Sequence, residues 1–172
     1  GTYIRALEPV EFARRALPFL ERDLPADVKR PLDWDYVCGV ARLVQERTRV
    51  LSELGELCGF FFAEVLSYPA SLLVVKGLDA SMATSVLNRV TSAANGVATW
   101  RVADLEAAIR PLGEEPGLST KLVFGLVRVA VTGKTATPPL FETMEVLGAE
   151  RCLQRLKAAV ALLEPLTRQQ PE

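Results

Sequence analysis

Apolar residues recur along the chain at three- and four-residue spacings, punctuated by Pro, Gly, Asp and Asn. That pattern predicts helices joined by short loops. Residues 1–7 read as an extended lead-in. A helix is expected over residues 9–20, opened by Pro9, with Val10, Ala13, Leu17 and Leu20 on one stripe. Pro18 lies inside it and should kink or shorten it. Pro25 and Pro31 bracket a loop, and Asp33 caps a helix with Tyr36, Val37, Val40, Leu43 and Val44 on one side. The helix runs out in residues 45–51, where Arg47 sits at a C-terminus whose dipole favours cations.

Residues 54–66 are strongly apolar and contain Phe60, Phe61 and Phe62 in a row. Three consecutive aromatics cannot all face one core, so at least one is expected against a neighbouring helix or a second domain. Asp79 caps a helix through about residue 94, and Asn95-Gly96 stops it. The expected domain boundary falls there, giving subdomains 1–95 and 96–172. Trp100 opens the second, a short helix covers residues 104–112, and Glu114-Glu115-Pro116-Gly117 makes a surface turn.

Residues 118–131 permit two readings. Their β-branched residues allow strands, whereas Leu122, Gly125, Leu126, Val129 and Ala130 fit a buried helix. After a small-residue turn, Thr137 is a good N-cap and Pro138 and Pro139 suit a first turn, which predicts a helix over residues 137–147 closed by Gly148. Residues 149–163 form the last helix, with Cys152, Leu153, Leu156, Ala159, Val160 and Leu163 facing inward. The tail from Pro165 is expected to fray.

Composition narrows the function classes. The 172 residues are 49% apolar, enough for a real core, and no apolar run approaches a membrane span. Three widely spaced cysteines fit reduced, buried thiols and a cytoplasmic protein. There is no histidine, which removes Ser-His and Cys-His pairs and histidine metal ligands. Neither a Gly-x-x-x-x-Gly-Lys loop nor Gly-x-Gly-x-x-Gly occurs. A binding module fits better than an enzyme. A net charge of −1 argues against a phosphate-tracking groove. Fifteen of the twenty basic residues are arginine, the better reader of planar acceptor pairs.

One stretch is more specific. Arg128-Val129-Ala130-Val131-Thr132-Gly133 is followed by Thr137-Pro138-Pro139-Leu140-Phe141 and then Leu147-Gly148. This order resembles the C-terminal anticodon-binding region of bacterial-type glutamyl-tRNA synthetases, over roughly residues 3–163. The resemblance implies an all-α fold of two small helical bundles in tandem, and so a helix over residues 118–131. It also implies contacts to the anticodon bases from Arg47, Arg128, Thr137, Pro138 and Leu140, with Arg47 matching on a shorter and more variable segment. The implied partners are the anticodon loop of glutamate tRNA and the enzyme's own N-terminal catalytic domain. The chain looks like a C-terminal fragment of a monomeric ligase. The His-Ile-Gly-His and Lys-Met-Ser-Lys-Ser type signatures are missing, so no cofactor is expected in this chain, and ATP and magnesium belong to the parent enzyme. A helical protein-interaction domain without RNA binding is the competing expectation.

Overall fold

Asp33, Asp79 and Ser119 each turn a side-chain oxygen onto a backbone N–H of the turn that follows. The distances are 3.1 Å to Asp35, 2.8 Å to Met82 and 3.1 Å to Leu122. These caps satisfy donors that the first helical turn cannot pair internally. The computed structural model describes residues 2–169, and every regular element among them is helical. The chain divides into two compact units, Gly1–Val65 and Leu66–Glu172.

The first unit contains α1 (Thr2–Ala6), α2 (Pro9–Asp23), α3 (Trp34–Val44) and α4 (Leu54–Phe62). Helix α2 packs on α3 and α4. Its buried face is Phe12, Ala13, Ala16 and Leu20, whereas Val10 is exposed, so the apolar stripe is turned from the one expected. Pro18 does not shorten the helix. Both Pro18 and Arg14, whose carbonyl loses its helical donor, are exposed, and water can take that carbonyl. The lead-in is helical rather than extended, with Gly1 outside the described residues. Gln45 explains this: its buried amide donates to the carbonyls of Ile4 at 2.9 Å and Leu7 at 2.8 Å. Phe60, Phe61 and Phe62 are all buried. Phe60 and Phe61 stack, while Phe62 meets the Tyr36 ring edge-on and the Tyr36 hydroxyl donates to the Phe61 carbonyl.

The Arg30 guanidinium closes the loop after α2. It donates to the carbonyls of Glu21 at 2.9 Å, Leu24 at 2.7 Å, Pro25 at 2.7 Å and Val28 at 2.5 Å. One planar fork thus satisfies helix-end and loop carbonyls together.

The second unit contains α5 (Ala80–Asn95), α6 (Val102–Ile109), α7 (Thr120–Thr132), α8 (Leu140–Leu147) and α9 (Ala149–Gln169). Helix α5 packs along α9, and α7 packs against both. The boundary expected after Asn95 therefore moves to Val65/Leu66. Gly96 does stop α5, but the apolar face of that helix (Ala83, Leu87, Val90 and Ala94) is buried in the second unit. Trp100 ties α6 to α8 by donating its indole N–H to the Met144 carbonyl at 2.8 Å. The Glu145 carboxylate accepts the Val102 N–H, also at 2.8 Å, and caps α6 from a neighbouring helix. Residues 118–131 are helical. The tail expected to fray continues α9 to Gln169 with Pro165 exposed, and residues 170–172 lie outside the described residues.

Asp79→Ala removes the α5 cap and should destabilise the second unit by about 1 kcal/mol. Urea unfolding followed by circular dichroism should show a lower midpoint with an unchanged slope, and Asp79→Asn should restore most of it.

Candidate nucleic-acid interface

The segment from Arg128 to Leu140 is built by giving the last carbonyls of α7 specific partners. Helix ends leave such carbonyls without intrahelical donors. Gly133 donates its N–H to the Val129 carbonyl at 2.7 Å from a left-handed φ of 73°. The Thr132 hydroxyl donates to the Arg128 carbonyl at 2.6 Å and accepts the Lys134 N–H at 3.0 Å. Arg155 reaches over from α9 and donates to the Val131 carbonyl at 2.7 Å.

Gly133 is required twice. L-residues with a side chain are strained at this φ, and a Cβ would lie 3.1 Å from Cδ1 of Tyr68. Burial pushes the Tyr68 phenol up to about 12, against the opposing pull of Arg155, so the ring stays neutral at physiological pH. The Cys152 thiol is likewise pushed up to about 12 by burial, with Arg155 opposing.

Thr137 does not act as a helix cap. Helix α8 begins at Leu140, with Pro139 before it at φ −50° and ψ 140° and no side-chain cap. The physical reason is the double proline. A residue preceding proline is driven out of the helical region, and here Thr137 and Pro138 both precede one. The Thr137 hydroxyl instead accepts the Arg128 Nε–H at 2.9 Å and donates to the Pro138 carbonyl at 2.8 Å. Thr143, buried in α8, donates to that same carbonyl at 3.3 Å.

Four of the five expected contact residues are thus brought together: Arg128, Thr137, Pro138 and Leu140. Arg128 is half-buried, whereas Thr137 is 7% exposed, Leu140 is 4% exposed and Pro138 is buried. The apolar surface expected of Pro138 and Leu140 is therefore mostly spent on the core. What the segment leaves exposed is Thr135, Ala136 and Pro139, with Arg128 and Lys134 partly so.

Arg47 belongs to the first unit, so its setting is separate. It ends the 3₁₀ turn Gln45–Arg47 after α3 and is exposed. Buried anchors flank it. Gln45 binds the α1 carbonyls, and the Thr48 hydroxyl donates to the Val44 carbonyl at 2.8 Å. An exposed guanidinium on an anchored base suits recognition of a planar acceptor pair.

Arg155 was missed by the sequence reading. It occupies the apolar stripe of α9 with Cys152, Leu156, Ala159 and Leu163, and is only 4% exposed. The signal was present: a charged residue three positions after Cys152 on a helix that packs by that spacing.

The described residues define an all-helical module that presents arginine at the ends of two helices. The chain belongs to the anticodon-binding domain family, whose model matches residues 11–160. It is 40% identical over 166 residues to the glutamate–tRNA ligase of Dehalococcoides mccartyi strain CBDB1, a match covering 96% of this chain and 34% of that protein. It is 39% identical to the glutamate–tRNA ligase of Roseiflexus castenholzii, over 95% of this chain and 32% of that protein. In fold it is similar to the crystal structure of a glutamate tRNA ligase from Elizabethkingia meningosepticum, with a TM-score of 0.74 and 20% identity, over 96% of this chain and 31% of that one. The chain spans about a third of the length of the curated relatives it matches.

Gly133→Ala should destabilise the second unit by about 1–2 kcal/mol, the cost of one left-handed alanine. The contact with Tyr68 adds to this. Thermal unfolding of Gly133→Ala beside Gly125→Ala separates the effects, because a Cβ at Gly125 meets nothing within 4 Å and Gly125 should tolerate alanine.

Proposed function

We propose that this domain reads the anticodon of glutamate tRNA as part of a glutamate–tRNA ligase. Its ATP-dependent glutamylation, with magnesium, belongs to residues outside this chain. The observation that carries the reading is the Arg128–Thr137 hydrogen bond, which fixes a guanidinium against a turn on the segment that resembles the family's anticodon-contacting stretch. Similarity to glutamate–tRNA ligases over 96% of the chain supports it. We assign the ligase to the cytoplasm as a monomer, with its own catalytic domain as the second partner.

Sequence-specific RNA readers target unstacked loop bases through edge hydrogen bonds and arginine stacking. A guanidinium carries donors only. Glutamate anticodons end in cytosine, which offers a carbonyl oxygen and an unprotonated ring nitrogen side by side. Glutamine anticodons end in guanine, which offers two donors and one acceptor on that edge. Arg47 in this reading takes the third anticodon base and rejects guanine by about 1–3 kcal/mol, the scale of a bidentate base contact.

The test is titration of the chain into a labelled glutamate anticodon stem-loop and into the same loop with guanine at the third anticodon position. The wild type should prefer cytosine by about 5- to 150-fold. Arg47→Gln should bring the two affinities within about twofold of each other, since glutamine offers both a donor and an acceptor. An unchanged preference in Arg47→Gln would remove that residue from the reading. Binding that holds or tightens with salt would favour an apolar protein interface over RNA.

A further inference from the structure

Arg155 is a cation with almost no contact with solvent, and a buried charge is poor value for stability alone. Its position says what the charge does. Its Nη1–H meets the Val131 carbonyl at 2.7 Å, three residues after Arg128 and two before the left-handed Gly133. The guanidinium therefore sits at the negative end of the α7 dipole, where a cation is favoured. Thr132 and Gly133 satisfy the neighbouring carbonyls of Arg128 and Val129 from within the same turn. Arg155 is different because it belongs to α9 and so ties the end of α7 to a separate helix. Arg128 then leaves this anchored turn toward Thr137.

We propose that Arg155 is a positioning residue for anticodon reading: it holds the end of α7 in place so that the Arg128 guanidinium meets its base at the correct angle, without itself touching RNA. The inference rests on the anticodon reading above. A bidentate contact is sensitive to orientation, so a loosened turn should lose discrimination before it loses affinity.

The test is a double-mutant cycle on stem-loop binding. Glutamate anticodon stem-loops are prepared with each anticodon base replaced in turn, and Arg128→Ala identifies the base whose discrimination Arg128 carries. Arg155→Met keeps an unbranched apolar stem while removing charge and donors. It should lower discrimination at that same base by about fivefold, while in an Arg128→Ala background it should change discrimination less than about twofold. Arg155→Lys, which keeps a cation near the Val131 carbonyl, should recover much of the loss. Thermal melts run alongside, and Arg155→Gln replaces the methionine variant if that one fails to fold.

Full discrimination in Arg155→Met, or an equal effect in both backgrounds, overturns the proposal and leaves the anticodon reading standing. Unfolding of both the methionine and glutamine variants makes Arg155 a stability residue and also overturns it. A folded wild-type chain that binds no stem-loop at low salt overturns the anticodon reading and this proposal together.

Discussion

The double proline constrains everything around Arg128. Thr137 and Pro138 each precede a proline and are kept out of the helical region, so α8 waits until Leu140. A hydroxyl that would otherwise cap a helix is left to meet a guanidinium. It accepts the Arg128 Nε–H and donates to the Pro138 carbonyl, to which Thr143 also donates. Three short polar contacts thus join the last turns of α7 to the first turn of α8. They satisfy buried hydroxyls and a carbonyl that water does not reach easily.

Around this turn the second unit solves one problem repeatedly: what to do with helix-end carbonyls. Gly133 uses backbone geometry, Thr132 a side chain of the same helix, and Arg155 a side chain from α9. The first unit meets the same need with Arg30 and Gln45. Gln45 and Arg155 reach these carbonyls from distant parts of the sequence, whereas Arg30 closes its own loop. The Gln45 and Arg155 bonds couple elements that sequence separation would otherwise leave independent.

Much of this was legible in the sequence because it is periodic or punctuated. The caps at Asp33 and Asp79 and the stop at Gly96 follow from local rules, while the helix over residues 118–131 follows from the resemblance. What escaped was tertiary. The lead-in was expected to be extended because nothing local reveals that Gln45 will take its carbonyls. The domain boundary was expected at Gly96 because a helix stop and a domain edge carry the same local signal. Only the packing of α5 on α9 tells them apart. Proline acts in both directions. Pro18 and Pro165 sit exposed within continuous helices, while Thr137 and Pro138, each before a proline, stay out of helix α8. At the candidate site the resemblance named Arg128 and the Thr137–Leu140 run. It did not reveal that Pro138 and Leu140 would be buried, nor that Arg155 lay behind them.

The charge balance of the chain fits this division of labour. A domain with a net charge of −1 gains little from diffuse attraction to phosphates. In the proposed reading its selectivity comes from a few groups whose direction is fixed. A cation that reads an edge is useful only if its scaffold resists rotation, and in water a surface guanidinium on a frayed helix end has no such resistance. The scaffold here is made of buried hydroxyls, a left-handed glycine and a buried cation, none of which needs to face the ligand. Exposed Arg47 and half-buried Arg128 each stand beside residues with almost no exposure at all: Gln45 and Thr48 for one, Thr132 and Thr137 for the other. In the proposed reading, a nearly neutral helical domain selects by orientation rather than by diffuse charge. Orientation supplied from behind costs no surface charge, so it adds nothing to the affinity for wrong sequences.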